Sequence, residues 1–356
     1  MFLERGELID ASLAALLAGQ HVLIIGPPGT AKSMLADEMC RRLVGASYFQ
    51  WLLTKFTTPE ELFGAVSLSS LEQDDYRRVT THKLPEAHIA FLDEVFKASS
   101  SILNAILTVM NERRFYNGRE VIQVPLVTLF GASNELPEED ELQALYDRFL
   151  VRHVVDYINE EFRFLKMLEA KPVSARTTLS LDELRKLQAQ VAAVPVPAHI
   201  YRSLADLRGE LRRKQIVASD RRYRQALPLL QAHALLTGRD QVSENDLFLL
   251  EHVLWRDPGE RREVRATIHQ LLRGYEEQVK ELLFQTHELR DYARRQWENS
   301  DLRSRALVEA HTKIRHILNR VNGILEEARA VGRPLDTVEA VKNEIEAIQQ
   351  KMLEIL

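Results

Sequence analysis

Three short apolar runs punctuate the N-terminal part of the chain: Val22–Ile25, Ile89–Leu92 and Leu126–Ala132. Each is rich in β-branched or aromatic residues and ends in Gly, Pro, Asn or acidic residues. That pattern suits strands buried on both faces of a parallel sheet. Between them, stretches such as Ser33 to Leu43 space their apolar positions three and four apart, which predicts crossover helices and an α/β fold. Two segments break the alternation. Ala65 to Pro85 alternates short apolar and polar groups and is too long for a connector, so the expectation is an inserted hairpin. A second hairpin is expected where Asn117-Gly118, a type I′ turn pair, separates Arg114-Phe115-Tyr116 from Val121–Val124.

Downstream the pattern becomes helical. Lys171-Pro172-Val173-Ser174-Ala175 reads as a linker, and Ser180 with Glu183 forms a capping box that opens a helix. Helices over about 198–215, 220–236 and 243–255 predict an all-α lid. After Asp257-Pro258-Gly259, acidic and basic residues balance and two seams appear. Leu307, Ala310, Ile314, Ile317, Val321, Ile324 and Ala328 form one, and Val338, Val341, Ile345, Ile348, Met352 and Ile355 the other. Alternating steps of three and four make these heptad seams, joined at Val331-Gly332-Arg333-Pro334. The expectation is a helical hairpin, closed into a three-helix domain by residues 262–297, with its seam buried inside the chain and its tip at 330–335 offered as a contact. The domain boundaries follow: 1–169 α/β, 170–257 linker and lid, 258–356 C-terminal helices.

The candidate chemistry sits at the ends of the apolar runs. Gly26-Pro27-Pro28-Gly29-Thr30-Ala31-Lys32-Ser33 follows the first, giving strand, glycine loop, helix start. Backbone N–H groups of such a loop and the helix N-terminus attract phosphates. Lys32 would reach the β- and γ-phosphates, and the Ser33 hydroxyl would ligate Mg2+. Ala31 departs from the usual G-x-x-x-x-G-K-[ST] spacing by adding a methyl where Gly is normal. Asp93 and Glu94 end the second run, where α/β sheets hold ligands. Asp93 would share Mg2+ with Ser33, and Glu94 would orient and deprotonate the attacking water. Their other reading is a cap for a helix starting near Ser99. Asn134 ends the third run, either as a turn former or as a polar contact to the γ-phosphate and the water.

Composition narrows the class. Hydrophobic residues at 45% build ample cores, and a net charge of −5 gives no bias toward nucleic acid. Cys40 is the single cysteine, so no intrachain disulfide forms. No apolar run approaches the ~18 residues of a membrane helix, and Met1–Arg5 does not open a signal peptide, so no membrane span and a cytoplasmic location are expected.

In this order the motifs resemble the MoxR branch of the AAA+ ATPases, in particular its RavA-like members. The likeness runs from Glu4 to about Trp255 and includes Thr58–Gly64, Phe91–Ala98, Ile102-Leu103-Asn104, Asn111-Glu112-Arg113, Ala132–Pro137, Ala144–Arg148 and Ser219–Arg222. It implies an AAA+ P-loop domain with β-hairpin insertions facing a ring's pore, ATP and Mg2+ as ligands, and ATP hydrolysis. Ala31 is a variation familiar in that branch. Arg148 matches the family's arginine finger, which serves the neighbouring subunit's nucleotide; taken alone it could as well pair with Asp147 or Asp156. Arg221 matches the lid's sensor 2 position, acting in cis, with Arg222 as its rival by one residue. Arg113 and Arg114 are further trans candidates or a solvated helix end. The family further implies a hexameric homo-oligomer with chaperone-like action, often beside a von Willebrand factor A domain protein. The RavA-like β-rich C-terminal module has no counterpart here.

Two other classes stay open. One is a nucleic-acid-dependent motor, for which the lid offers Arg208, Arg212, Arg213, Lys214, Arg221, Arg222 and Arg224 but no interleaved aromatic platform beyond Tyr223. The other is a nucleotide-gated scaffold recruiting partners through its C-terminal helices.

Overall fold

The computed structural model describes residues 2–137, 140–169, 177–272, 275–297, 299–330 and 335–353, and the chain divides into two compact units, 1–265 and 266–356. The first opens with α1 (Gly6–Leu17). β1 (Val22–Ile25), buried throughout, leads through residues 26–31 into α2 (Lys32–Arg41). Next come β2 (Leu43–Val44), β3 (Tyr48–Leu52), α3 (Pro59–Phe63) and α4 (Leu68–Leu71). β4 (Ile89–Asp93), α5 (Ser100–Glu112), the hairpin β5 (Arg114–Asn117) and β6 (Glu120–Gln123), and β7 (Thr128–Ser133) follow. α6 (Asp140–Arg148), β8 (Val151–Val154) and α7 (Glu161–Glu169) complete the α/β part.

The apolar runs make the centre of a five-stranded sheet ordered β3-β4-β7-β1-β8, parallel throughout. Val22 lies opposite Phe130 and Val151, and Phe91 opposite Phe130, so the strands are in step. One consequence decides where the chemistry goes. Residues 26–31, Asp93–Glu94 and Asn134 all leave the sheet at its carboxyl edge, the edge where α/β sheets hold ligands. Leu23, Ile24, Phe91 and Phe130, all fully buried, form the core between.

β9 (Leu179–Ser180) pairs with β2 in a two-residue parallel ladder, and α8 (Leu181–Ala193) starts from the Ser180–Glu183 capping box. α9 (Ala198–Arg213) and α10 (Asp220–Leu236) follow, the latter capped by the Ser219 hydroxyl accepting from the Arg222 amide. α1 packs on α8 and α10, tying these helices to the sheet's flank. The segment expected as a last lid helix is instead a 3-10 helix, Glu244–His252. Its Asp246 is fully buried and held by the Ser243 amide at 2.7 Å, by His233 at 2.6 Å and by Arg239. Much of the lid's basic charge is paired on the surface: Arg208 with Asp220 at 2.5 Å, Lys214 with Glu263 at 2.5 Å, and Arg213 with Glu210. α11 (Arg261–Leu272) carries the chain from the first unit into the second.

In the second unit, α12 (Tyr275–Arg294), α13 (Ser300–Ala330) and α14 (Asp336–Leu353) each pack on the other two. Every described seam position is buried, from Leu307 to Ala328 and from Val338 to Met352, and Val279, Leu282 and Leu289 of α12 close the third side. No strand occurs among the described residues after 258. The expected linker at 171–175, the helix stop at 331–334 and Ile355 lie outside the described residues.

Two local expectations are corrected. Residues 65–85 are not a regular hairpin: a single bridge joins Val66 to Arg78, and α4 occupies the tip, its first turn capped by Ser67 accepting from the Ser70 amide. In the second insertion Asn117 and Glu120 are paired strand residues, so the loop is Gly118-Arg119. Only Gly118 has positive φ, which excludes a type I′ turn. The Asn117 side chain is buried and clips the insertions together, accepting from the Arg78 amide at 2.7 Å and donating to the Arg78 carbonyl at 3.1 Å.

Candidate nucleotide site

The loop after β1 is wedged between strands. The Gly26 amide donates to the Ser133 carbonyl at 3.0 Å, and a Cβ on Gly26 would lie 2.1 Å from the Val155 carbonyl oxygen. No other residue fits there. Ala31 adopts left-handed geometry, φ 64 and ψ 26, directly before α2. That is the conformation that penalises a Cβ, so the departure seen in the sequence is a point of strain. No side chain caps α2, leaving its first-turn N–H groups turned to the loop without a side-chain acceptor. Lys32 is buried and folds back into the loop, donating to the Gly26 carbonyl at 2.5 Å and the Pro27 carbonyl at 3.0 Å. Burial lowers its pKa, against the opposing pull of Asp93 and Glu94. An anion with several acceptor oxygens would satisfy both the uncapped helix and this ammonium.

Asp93 is the last residue of β4, and its Oδ1 accepts the Glu94 amide at 3.0 Å. Glu94 is a second left-handed non-glycine residue, φ 51 and ψ 45, and makes no capping bond. α5 starts independently after Ser99, so neither acid serves as its cap. The Glu94 carboxylate is held at both oxygens: Asn134 Nδ2 donates to Oε1 at 2.9 Å, and Lys97 Nζ lies 3.1 Å from Oε2. Asn134 Oδ1 in turn lies 3.5 Å from Lys32 Nζ. An amide can donate to the acid and accept from the ammonium at once, so Asn134 links the two motifs. Ser33, in the first turn of α2, and Asp93, at the end of β4, carry the hard oxygen donors that suit Mg2+, and α2 packs against β4.

Beside the loop lies a cavity of about 440 Å3 that sequence reasoning missed. Gly29, Thr30 and Ala31 form one wall, and apolar side chains such as Phe2, Tyr157, Phe164 and Met167 line most of the rest, with Arg5 as the one charged residue. It is largely apolar, with room for a flat aromatic body next to the glycine loop. Glu4 anchors the N-terminal wall by accepting the amides of Asn159 at 3.1 Å and Glu160 at 3.2 Å. Apolar Phe2 and Leu3 ahead of the first helix were its only signal in the sequence.

The arginines sort differently. Arg148 ends α6, three residues before β8, at the edge where strands begin. Its Nε is buried and unbonded; burial lowers its pKa, and nearby Arg221 lowers it further. Among the described residues Arg148 has no ion pair, because the Asp147 carboxylate turns to Arg222 at 3.5 Å and Arg152 at 3.9 Å. Arg221 Nη2 donates to Asn111 Oδ1 at 3.1 Å, at the far end of α5. The structure therefore brings Arg221 beside Arg148 and not into the group around Lys32. Arg222 is buried among carbonyls instead. Arg113 is not a solvated helix end: it donates to the Gly19 carbonyl at 2.8 Å, the Met110 carbonyl at 2.7 Å and the Val127 carbonyl at 3.3 Å, and burial lowers its pKa to about 10. Arg114 is exposed.

A family model described as the MoxR domain in MoxR-vWA-beta-propeller ternary systems matches residues 1–189, and one described as an AAA lid domain matches residues 199–268. The chain belongs to the MoxR family of AAA+ ATPases. The matched description names the branch by those systems rather than as RavA-like. An uncharacterised protein of Methanocaldococcus jannaschii is 36% identical to this MoxR chain over 355 residues, covering 98% of the chain and 95% of that protein. A second from the same organism is 44% identical over 283 residues, 78% of the chain and 73% of its own length. Chaperone MoxR1 of Mycobacterium tuberculosis is 29% identical over 196 residues, 53% of the chain and 50% of that protein. A crystal structure from Cytophaga hutchinsonii shares the fold with TM-score 0.60 at 17% identity, covering 76% of this chain and 89% of that one. No described helix is long and apolar enough to cross a membrane.

Proposed function

We propose that this MoxR chain binds ATP with Mg2+ at residues 26–33, hydrolyses it, and uses the cycle to remodel a protein client in the cytoplasm. The observation that carries the reading is the hydrogen-bonded run Lys32–Asn134–Glu94 at the carboxyl edge of the sheet. Mg2+ held by Ser33 and Asp93 would neutralise charge developing on the phosphates. The loop amides and Lys32 hold the β- and γ-phosphates, the apolar cavity takes the base, and Asn134 and Glu94 position the water, Glu94 accepting its proton.

Arg148 and Arg221 supply the charge that is missing from this edge, but for a neighbour. β1 and β8 run in step from Val22↔Val151 to Ile25↔Val154. The loop therefore starts about 10 Å beyond the edge where Arg148 sits, at ~3.3 Å per strand residue, before the loop's own depth is added. An arginine anchored at one edge does not reach a phosphate bound at the other. The reading is that both arginines act in trans within a homo-oligomeric ring, a hexamer in the family's usual form, which replaces the cis role first expected for Arg221. The client surface would be the clipped insertions, where Leu68, Tyr76, Tyr116 and Val121 are more than half exposed. A von Willebrand factor A domain protein is the partner class favoured by the matched family's description.

The test is phosphate release by wild type, Glu94→Gln and Lys32→Ala with a fluorescent ATP analogue as binding probe. Glu94→Gln should bind ATP and lose turnover by about 100-fold or more, having lost its base. Lys32→Ala should lose affinity. Near-wild-type turnover in Glu94→Gln would refute the assignment.

A further inference from the structure

In the sequence Arg222 reads as a rival to Arg221 for sensor 2 and as one of the lid's basic residues, yet its surroundings give it another role. It is 1% exposed, and its guanidinium is filled by carbonyl oxygens. Nε donates to Val253 at 2.8 Å, Nη1 to Asp147 and Phe149 at 3.2 Å each, and Nη2 to Leu150 at 2.5 Å. The Asp147 carboxylate lies 3.5 Å away. Three of these four carbonyls belong to residues 147, 149 and 150, so one planar fork grips the backbone on both sides of Arg148. The fourth, Val253, follows the 3-10 helix of the lid. Arg152 reinforces the joint, donating to the Trp255 carbonyl at 2.6 Å and the Tyr146 carbonyl at 3.1 Å, its guanidinium 3.8 Å from the Tyr146 ring centroid.

Such a grip is costly to build. A guanidinium taken wholly out of water loses several kcal/mol of solvation, and burial lowers the Arg222 pKa to about 9, leaving it charged at neutral pH. A helix–strand junction needing only to pack would be served as well by an apolar side chain. What the fork adds is direction: five donors in a rigid plane fix carbonyls in a way no other side chain does. The same turn of α10 also presents Arg221 to Arg148.

We propose that Arg222 is a positioning residue for the arginine finger: by binding the carbonyls that bracket Arg148 it aims that guanidinium, together with Arg221, at the nucleotide of the neighbouring subunit. This rests on the reading of Arg148 as acting in trans. It also makes the lid and the finger one mechanical piece, so lid movement in one subunit is felt in the site of the next.

The experiment uses full-length chains mixed before ATP is added. Arg222→Lys keeps the charge but loses the fork. Its kcat should fall about 100-fold, the cost of misplacing a catalytic group by roughly 1 Å, while affinity for the fluorescent ATP analogue stays within about twofold. Mixed with Glu94→Gln, itself inactive but with an intact finger, it should regain turnover above either variant alone, because the Arg222→Lys subunit's own site is then served by a sound neighbour. Arg148→Ala mixed with Glu94→Gln is the control for trans action. If that control gives no gain, trans action fails and this inference with it. If the control gains but Arg222→Lys does not, Arg222 only supports the subunit's own fold and the inference alone is overturned. Wild-type kcat in Arg222→Lys overturns it as well. Should Arg222→Lys not fold, Arg222→Gln, which buries no charge, enters the same mixing experiment under the same criteria.

Discussion

Replacing Ala31 by Gly should stabilise the protein, the reverse of what Ala→Gly normally does. Ala31 is held at φ 64 and ψ 26, where an L-residue with a Cβ loses roughly 1–2 kcal/mol and Gly loses none. Against that, Gly frees the unfolded chain, which costs about 0.4–1 kcal/mol. The difference leaves a net gain of about 0.5–1 kcal/mol. For a cooperative unit of this size that is a rise of about 2 °C in Tm. Urea unfolding of the nucleotide-free protein should show a higher midpoint at unchanged m. The internal control is Ala189→Gly, the same chemical change at an exposed site inside α8, which should lower stability by about 1 kcal/mol. Opposite signs for one chemical change follow only if the left-handed geometry at Ala31 is real. A loss of stability in Ala31→Gly equal to that in Ala189→Gly would refute it.

Asn117→Ala should loosen the insertions without touching the sheet: two bonds to the Arg78 backbone disappear from a buried position, about 1–3 kcal/mol of local stability, so exchange of the Arg78 amide should speed by about tenfold or more while that of β1 and β4 stays unchanged. Equal Arg78 protection in both proteins would sink the clip. Stability should also fall with acid: burial holds His21 and His252 well below the usual histidine range and His153 at about 3, with Arg113 adding to the effect on His21 and Arg261 to that on the other two. The unfolded chain takes up protons first, so this stability is intact above pH ~6.5 and declines as the pH falls below it, by roughly 1.4 kcal/mol per pH unit for a histidine kept neutral, and for His153 down to about pH 3. His153→Phe should flatten the urea midpoint's pH dependence between pH 6.5 and 4.5; an unchanged slope would mean His153 is not buried neutral.

What the sequence made legible follows from how local each signal was. A strand of four apolar residues buried on both faces announces itself, and so β1, β4 and β7, with the glycine loop and the acids they deliver, could be read directly. Ser180–Glu183 and Ser219 cap helices through bonds within three residues, and the C-terminal seams need only their own periodicity. Where the deciding partner is distant, the pattern misled. Asn117 reads as a turn residue beside Gly118, but its amide is spent on Arg78, 39 positions away, and the turn moves on by one residue. The alternation in 65–85 reads as a hairpin, but Ser67 caps a helical turn and leaves one bridge where a ladder was expected. The cavity draws its walls from residues 2–5, 29–34 and 157–167, so no window contains it. Arg221 and Arg222 are the sharpest case. Adjacent on a helix, identical in chemistry and both inside one motif, they part only in three dimensions, where α10 turns one toward a second arginine and buries the other among four carbonyls. The motif marks where the pair lies along the chain; that Arg222 rather than Arg221 grips the carbonyls of residues 147, 149 and 150 is decided by segments more than 70 positions away that pack against α10 only in the folded chain.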